Sequence, residues 1–242
     1  MKYWGLLAWL VLALRPCLVQ AQAARVIVEQ RHVPVARIVE AVVGPWVQKE
    51  QPPGARSLYS NLGVGLLGYA IAACEDRPLV EVWRRQFLGP LEMKETFFEA
   101  PAESANLIAQ GYGPKGAPLK RAPLGGWPAG GRLSSSGRDM GKFLAANLGQ
   151  RPDLPAITRA MELAQRPYFK ASAKMTQGLA WQRVNLAGEP AIDKNGGLSG
   201  TSTYIGMLPG RQIGVVLMAN RGKCHVTAIG RELLLALVGK KP

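Results

Sequence analysis

The sequence predicts an α+β fold, a helical lobe followed by a C-terminal antiparallel sheet with a terminal helix. Three observations carry this. Between residues 60 and 165 apolar residues recur at helical spacing, with capping residues ahead of them. Near residue 190 the period changes, and two apolar runs follow, joined by Pro209-Gly210-Arg211-Gln212. The chain then closes on an apolar stretch, Glu232 to Val238. With 242 residues, 48% of them hydrophobic, one domain can bury a substantial core.

The elements follow in order. Met1-Lys2 precede the apolar run of residues 3–14, and Ala21-Gln22-Ala23 forms a small-residue cleavage site. This is the pattern of a secretory signal peptide over 1–23, leaving one domain over 24–242. Residues 25–43 are rich in Val and Ile and are broken by Pro34, so strand and helix both remain open. Gln51-Pro52-Pro53-Gly54 reads as a turn. Leu62 to Cys74 carries no charge and reads as a buried helix capped by Ser60 or Asn61. A second helix starts at Asp76-Arg77-Pro78, buries Leu79, Val82, Trp83 and Phe87, and ends at Gly89-Pro90. Residues 99–132 are loop-like. Ser136 to Asp139 reads as a capping box for a helix facing inward through Met140, Phe143, Leu144 and Leu148, and another helix covers about 155–165. Strands are expected over 190–197, 203–208 and 213–219. The helical lobe is therefore set at about 46–188, and the sheet with its helix at about 189–239.

Composition removes several function classes. The net charge is +14, but the basic residues are scattered rather than gathered in stripes with interleaved aromatics, so nucleic acid is not an expected partner. Two histidines, neither at ligand spacing from another His or a Cys, give no expectation of a metal site. No apolar run is long enough to span a bilayer as a helix. Cys74 and Cys224 flank apolar stretches and read as buried thiols, although an oxidising compartment permits a disulfide. Gly63-x-Gly65-x-x-Gly68 matches a dinucleotide fingerprint, but the Pro-Pro-Gly turn before it leaves no room for the required strand, so these glycines read as helix packing.

A more specific pattern runs through the chain. Tyr59-Ser60-Asn61 opens the uncharged helix, and Lys194-Asn195-Gly196-Gly197 lies at a strand edge. Between them stand Gly89-Pro90-Leu91-Glu92-Met93, Thr96-Phe97-Phe98, and Gly130-Gly131-Arg132-Leu133-Ser134 leading to Asp139-Met140. After them come Gly200 to Tyr204, Pro209, and Met218 to Arg221. In this order the set resembles the penicillin-recognising serine hydrolases: class C β-lactamases, their esterase relatives and D-alanyl-D-alanine carboxypeptidases. Class C enzymes are the nearest match, through Pro53-Gly54 and Met175 to Trp181. The resemblance covers roughly 46–238.

The resemblance implies a β-lactamase/transpeptidase-like fold, here incomplete, and acyl transfer through a serine ester. It implies that the Tyr59 phenol is a proton shuttle and that Asn61 holds the substrate's side-chain carbonyl. Lys194 matches the first residue of Lys-Thr-Gly and would supply positive potential, with Asn195 and Gly196 beside the substrate and the Gly197 N–H in the oxyanion hole. The implied partner is a small β-lactam or a D-Ala-D-Ala peptide, with no cofactor, and the expected state is a periplasmic monomer. Taken singly, Tyr59 is an ordinary core tyrosine and Asn195-Gly196 an ordinary hairpin turn.

Two departures stand out. Asn195 replaces the family's Thr or Ser, and no Ser, Thr or Cys of the mature chain has Lys three residues later, so the Ser-x-x-Lys nucleophile is missing. Only residues 24–58 of the mature chain precede Tyr59, too few for the two strands and helix that carry this motif in the family. The chain thus resembles an internally shortened member. Three readings follow: a defective serine hydrolase, a non-catalytic protein binding β-lactams or peptidoglycan stem peptides, or a gene remnant with an exposed sheet edge.

Overall fold

The computed structural model describes residues 25–28, 31–34, 57, 59–120, 128–131, 133–198 and 200–241. The expected signal peptide 1–23, the expected turn at Gln51–Gly54, Arg132 and Ser199 lie outside them. Strands β1 (Arg25–Val28) and β2 (Arg31–Pro34) form an antiparallel hairpin.

Helix α1 runs over Asn61–Cys74. Ser60 is its N-cap, with extended backbone and an Oγ that accepts from the Gly63 N–H at 2.9 Å. Its tightly buried stripe is Val64, Gly65, Gly68 and Ile71. A Cβ on Gly68 would stand 3.0 Å from Leu79 Cδ2 and closer still to Ala129 Cβ, so this glycine serves close packing, as the sequence predicts. Helix α2 (Leu79–Trp83) widens into a π-helical turn over Arg84–Leu88. Its expected inward residues, Leu79, Val82, Trp83 and Phe87, are all buried, and Trp83 stacks on Phe98 at 4.5 Å between ring centroids.

Helices α3 (Gly137–Asn147) and α4 (Pro155–Gln165) complete the lobe. The capping box ahead of α3 is half formed. Ser136 Oγ accepts from the Asp139 N–H, but the Asp139 carboxylate turns inward, where its Oδ2 accepts from the Glu95 N–H and the Thr96 hydroxyl. A short acid at the third position is recruited to pin the 92–96 turn instead of returning to the cap.

Among the described residues the main sheet has six antiparallel strands, β5 (Phe169–Ser172), β6 (Met175–Gln177), β7 (Gln182–Leu186), β8 (Glu189–Gly196), β9 (Ser202–Leu208) and β10 (Ile213–Ala219), in the order β10-β9-β8-β7-β6-β5. It begins at residue 169 rather than near 189. The three additional strands are short and polar, and their period is too weak to separate them from the helical lobe by sequence. Helix α5 covers Val226–Leu237, six residues earlier than the apolar stretch at 232–238 indicates. A small hairpin, β3 (Gly111–Tyr112) with β4 (Pro118–Leu119), lies inside the predicted loop.

The two faces of the sheet are assigned by alternation. Ile192, Ile205 and Met207 pack with Phe143, Leu144, Met161 and Trp181, joining the sheet to α3 and α4. Ala191 and Leu208 pack with Leu234 of α5 on the opposite face. Cys74 and Cys224 are half-buried thiols, more exposed than predicted.

Candidate functional site

The Tyr59-Ser60-Asn61 turn is organised by its own side chains. The Tyr59 phenol donates to Asn61 Oδ1 at 2.7 Å, while Ser60 caps the helix, so Tyr59 and Asn61 are brought together at the head of α1. Tyr59 remains 39% exposed, unlike a core tyrosine.

Lys194 lies on β8 with only 4% exposure. Its neighbour Asp193 points to the α5 face, so strand alternation directs Lys194 to the side of the helical lobe, together with Ile192. Asn195 and Gly196 are in the ladder, opposite Tyr204 and Thr203 of β9, and do not form a hairpin turn. Gly197 follows the strand end and is half-buried. The succeeding turn is closed by Thr201 N–H to Leu198 O at 3.0 Å and by Leu198 N–H to Thr201 Oγ1 at 3.2 Å.

Gly200 has φ +85°, and a Cβ there would come within 2.8 Å of the Gly111 backbone. Tyr112 N–H donates to Gly200 O and Asn220 O, and Gly222 N–H donates to Tyr112 O. The β3–β4 hairpin therefore straps the loop that follows Gly196-Gly197, a contact between segments about 90 residues apart that sequence reading misses.

Sequence reading also misses the support behind Lys194. Asp193, 1% exposed, accepts from Arg231 Nε at 2.7 Å and from the Tyr204 hydroxyl at 3.2 Å through Oδ2. Burial and the Asp193 charge push the Tyr204 phenol well above the usual tyrosine range, so it stays a donor. An acid directly after Ala191-Ile192 in an expected strand was the available signal, but its partner lies 38 residues away on another element. Tyr204 is laid flat between two glycines. A Cβ on Gly206 would be 2.6 Å from Tyr204 Cζ, and one on Gly230 would be 3.0 Å from Cγ and nearer still to Cδ1 and Cε1.

Among the described residues no group of three or more His, Cys, Asp or Glu side chains could hold a metal, and no helix is long and apolar enough to cross a membrane.

The order of these elements, helical lobe, antiparallel sheet and terminal helix, is that of the β-lactamase/transpeptidase-like proteins. The family model described as Beta-lactamase matches residues 20–240, and the chain belongs to that family. It is 27% identical over 203 residues to a beta-lactamase of Lysobacter lactamgenus, covering 71% of this chain and 52% of that protein. It is 28% identical over 209 residues to the D-alanyl-D-alanine-carboxypeptidase/endopeptidase AmpH of Escherichia coli K12, covering 78% and 53%. The fold is similar to that of D-alanine carboxypeptidase AmpC from Burkholderia cenocepacia, with TM-score 0.74, 20% identity and coverage of 98% and 83%. It is also similar to that of a class C beta-lactamase, with TM-score 0.69, 19% identity and coverage of 96% and 73%. The chain spans about half the length of the curated relatives it matches.

Proposed function

We propose that these residues form the recognition half of a β-lactamase-type site, which binds β-lactams or D-Ala-D-Ala stem peptides without forming an acyl-enzyme. The observation that carries this is Lys194, an ammonium kept at 4% exposure on the lobe-facing side of β8, directly before Asn195-Gly196-Gly197. The resemblance gives this lysine the role of supplying positive potential beside the substrate, and a positive potential at the strand edge favours a carboxylate-bearing ligand. In this reading Lys194 attracts the ligand carboxylate and Asn61 holds an amide carbonyl. The Gly197 N–H polarises the lactam or peptide carbonyl, and Asn195 and Gly196 line the strand edge beside the ligand. The Tyr59 phenol, which matches the family's proton shuttle, here orients Asn61 by donating to its Oδ1.

The covalent route needs a hydroxyl activated by a nearby base. No Ser, Thr or Cys in residues 24–242 is followed by Lys at the third position. Binding and polarisation alone leave a small part of the rate of such enzymes. Ser202, which follows Lys194 at the start of β9, is occupied elsewhere. Its Oγ donates to Arg221 O and accepts from the Cys224 N–H. We further propose export and cleavage after Ala23, which peptide mass spectrometry of a secreted product reads as an N-terminus at Ala24.

The test pairs two measurements on the purified protein. Incubation with a penicillin leaves the intact mass unchanged, and calorimetry detects saturable binding that weakens by about tenfold or more in Lys194→Gln, the loss expected for one charge-assisted contact. An adduct on any serine, abolished by Tyr59→Phe, restores the hydrolase reading. Absence of both adduct and binding removes the recognition reading.

A further inference from the structure

The geometry points to a second binding site, for a small multiply charged anion, in a cavity of about 560 Å³ at the β5–β7 side of the sheet. None of Tyr59, Asn61 or Lys194 lines it. The strand register places Lys170, Thr176 and Arg183 directly opposite one another on three adjacent strands, continuing to the buried Ile192. They therefore share one face, a cation, a hydroxyl and a cation in a row, with the two cationic backbones about 10 Å apart at the usual strand spacing. Arg183 is anchored by donating from Nη1 to Gln165 O at 2.8 Å, where α4 ends. Among the described residues the Lys170 and Lys174 ammonium groups have no hydrogen-bond or ion-pair partner. Arg211 also lines the cavity at the strand ends, where it is paired with Glu189.

One carboxylate lines the cavity, Glu189, and it is already bound by Arg211 at 2.9 Å and by Lys240 at 2.8 Å. Those two cations hold its carboxyl down at about 2, so it offers no proton-linked relief of the positive field. Trp181, two residues before Arg183 and on the same face, is buried and stacks on Phe143. It closes this end of the face off with apolar packing. Lys170, Lys174 and Arg183, with the Thr176 hydroxyl in their row and a single acid already paired with Arg211 and Lys240, match two or more phosphate or carboxylate groups on one small molecule.

The test is calorimetric titration of the full chain at low salt with tripolyphosphate in one arm and citrate in the other. The expected result is saturable binding of one anion per chain, the tighter arm identifying phosphate or carboxylate as the natural group. Lys170→Gln with Arg183→Gln weakens it by about tenfold or more, as expected from losing two charge-assisted contacts. Lys170→Gln with Lys174→Gln, both exposed, weakens it by several-fold and leaves folding intact, which covers loss of the Arg183 anchor. Arg84→Gln with Arg85→Gln, an equal charge change on the exposed π-helical turn, leaves it within about twofold. Equal weakening by the Arg84/Arg85 pair, or no saturation in either arm, overturns the site.

Discussion

Two glycines in helices respond to the same substitution with opposite sign. Gly230 lies inside α5 above the Tyr204 ring, whose other side rests on Gly206. An alanine methyl at 230 would overlap ring carbons, 3.0 Å from Cγ and closer to the next two. The ring has nowhere to retreat, because it is 1% exposed and its hydroxyl is tied to Asp193 at 3.2 Å. Overpacking of this kind destabilises by about 1–3 kcal/mol. Displacing the ring also weakens a hydrogen bond to a buried carboxylate, worth about 1.5–3 kcal/mol. Helix propensity returns about 1 kcal/mol. The net expectation for Gly230→Ala is a loss of about 3 kcal/mol, or roughly 6–12 °C in Tm for a chain of this size. Gly141, exposed within α3, has nothing within 4 Å of its notional Cβ. Gly141→Ala should gain up to about 1 kcal/mol. Thermal and urea unfolding of the two variants beside the parent provide the measurement. A Gly230→Ala protein as stable as the parent would refute the wedged-ring account.

Three further outcomes are expected. Arg231→Met leaves the buried Asp193 carboxylate without its counter-charge and should lower stability by about 3 kcal/mol, read as a fall in urea midpoint at unchanged slope. Glu189 is held at about 2 against an ordinary 4.5 by Arg211 and Lys240, so its contribution is complete above about pH 4.5 and fades as pH falls toward 2. The stability gap between parent and Glu189→Gln should therefore shrink between pH 6 and pH 3, and a constant gap would contradict the pairing. Ser136→Ala removes the hydroxyl that accepts from Asp139 N–H and should destabilise by about 1 kcal/mol, whereas Ser136→Asp should retain most of the parent stability.

Much of the lobe was legible because its signals are local. The Ser60 cap, the four inward residues of α2 and the start of α3 each depend on residues within one or two turns. The Tyr59–Asn61 contact is likewise two residues long. The missed strands β5–β7 are short, polar and half-exposed, so no period stood out, and their pairing was decided by β8 next to them.

By itself, the sequence determined the order of elements, the place of Tyr59, Asn61 and Lys194 to Gly197 within them, and membership of a family through spaced motifs. Only the tertiary structure decided which face each of those residues presents. Asp193 turns toward α5 because Arg231, 38 residues on, and Tyr204 meet it there, and alternation then commits Lys194 to the opposite side. The strap of Tyr112 on Gly200 and the row from Lys170 to Arg183 were likewise set by register and chain crossing. The physical reason is common to all of them. Capping and helical spacing act through neighbours in the chain, whereas charge pairing and cross-strand rows exist only once distant segments are brought within a few ångströms.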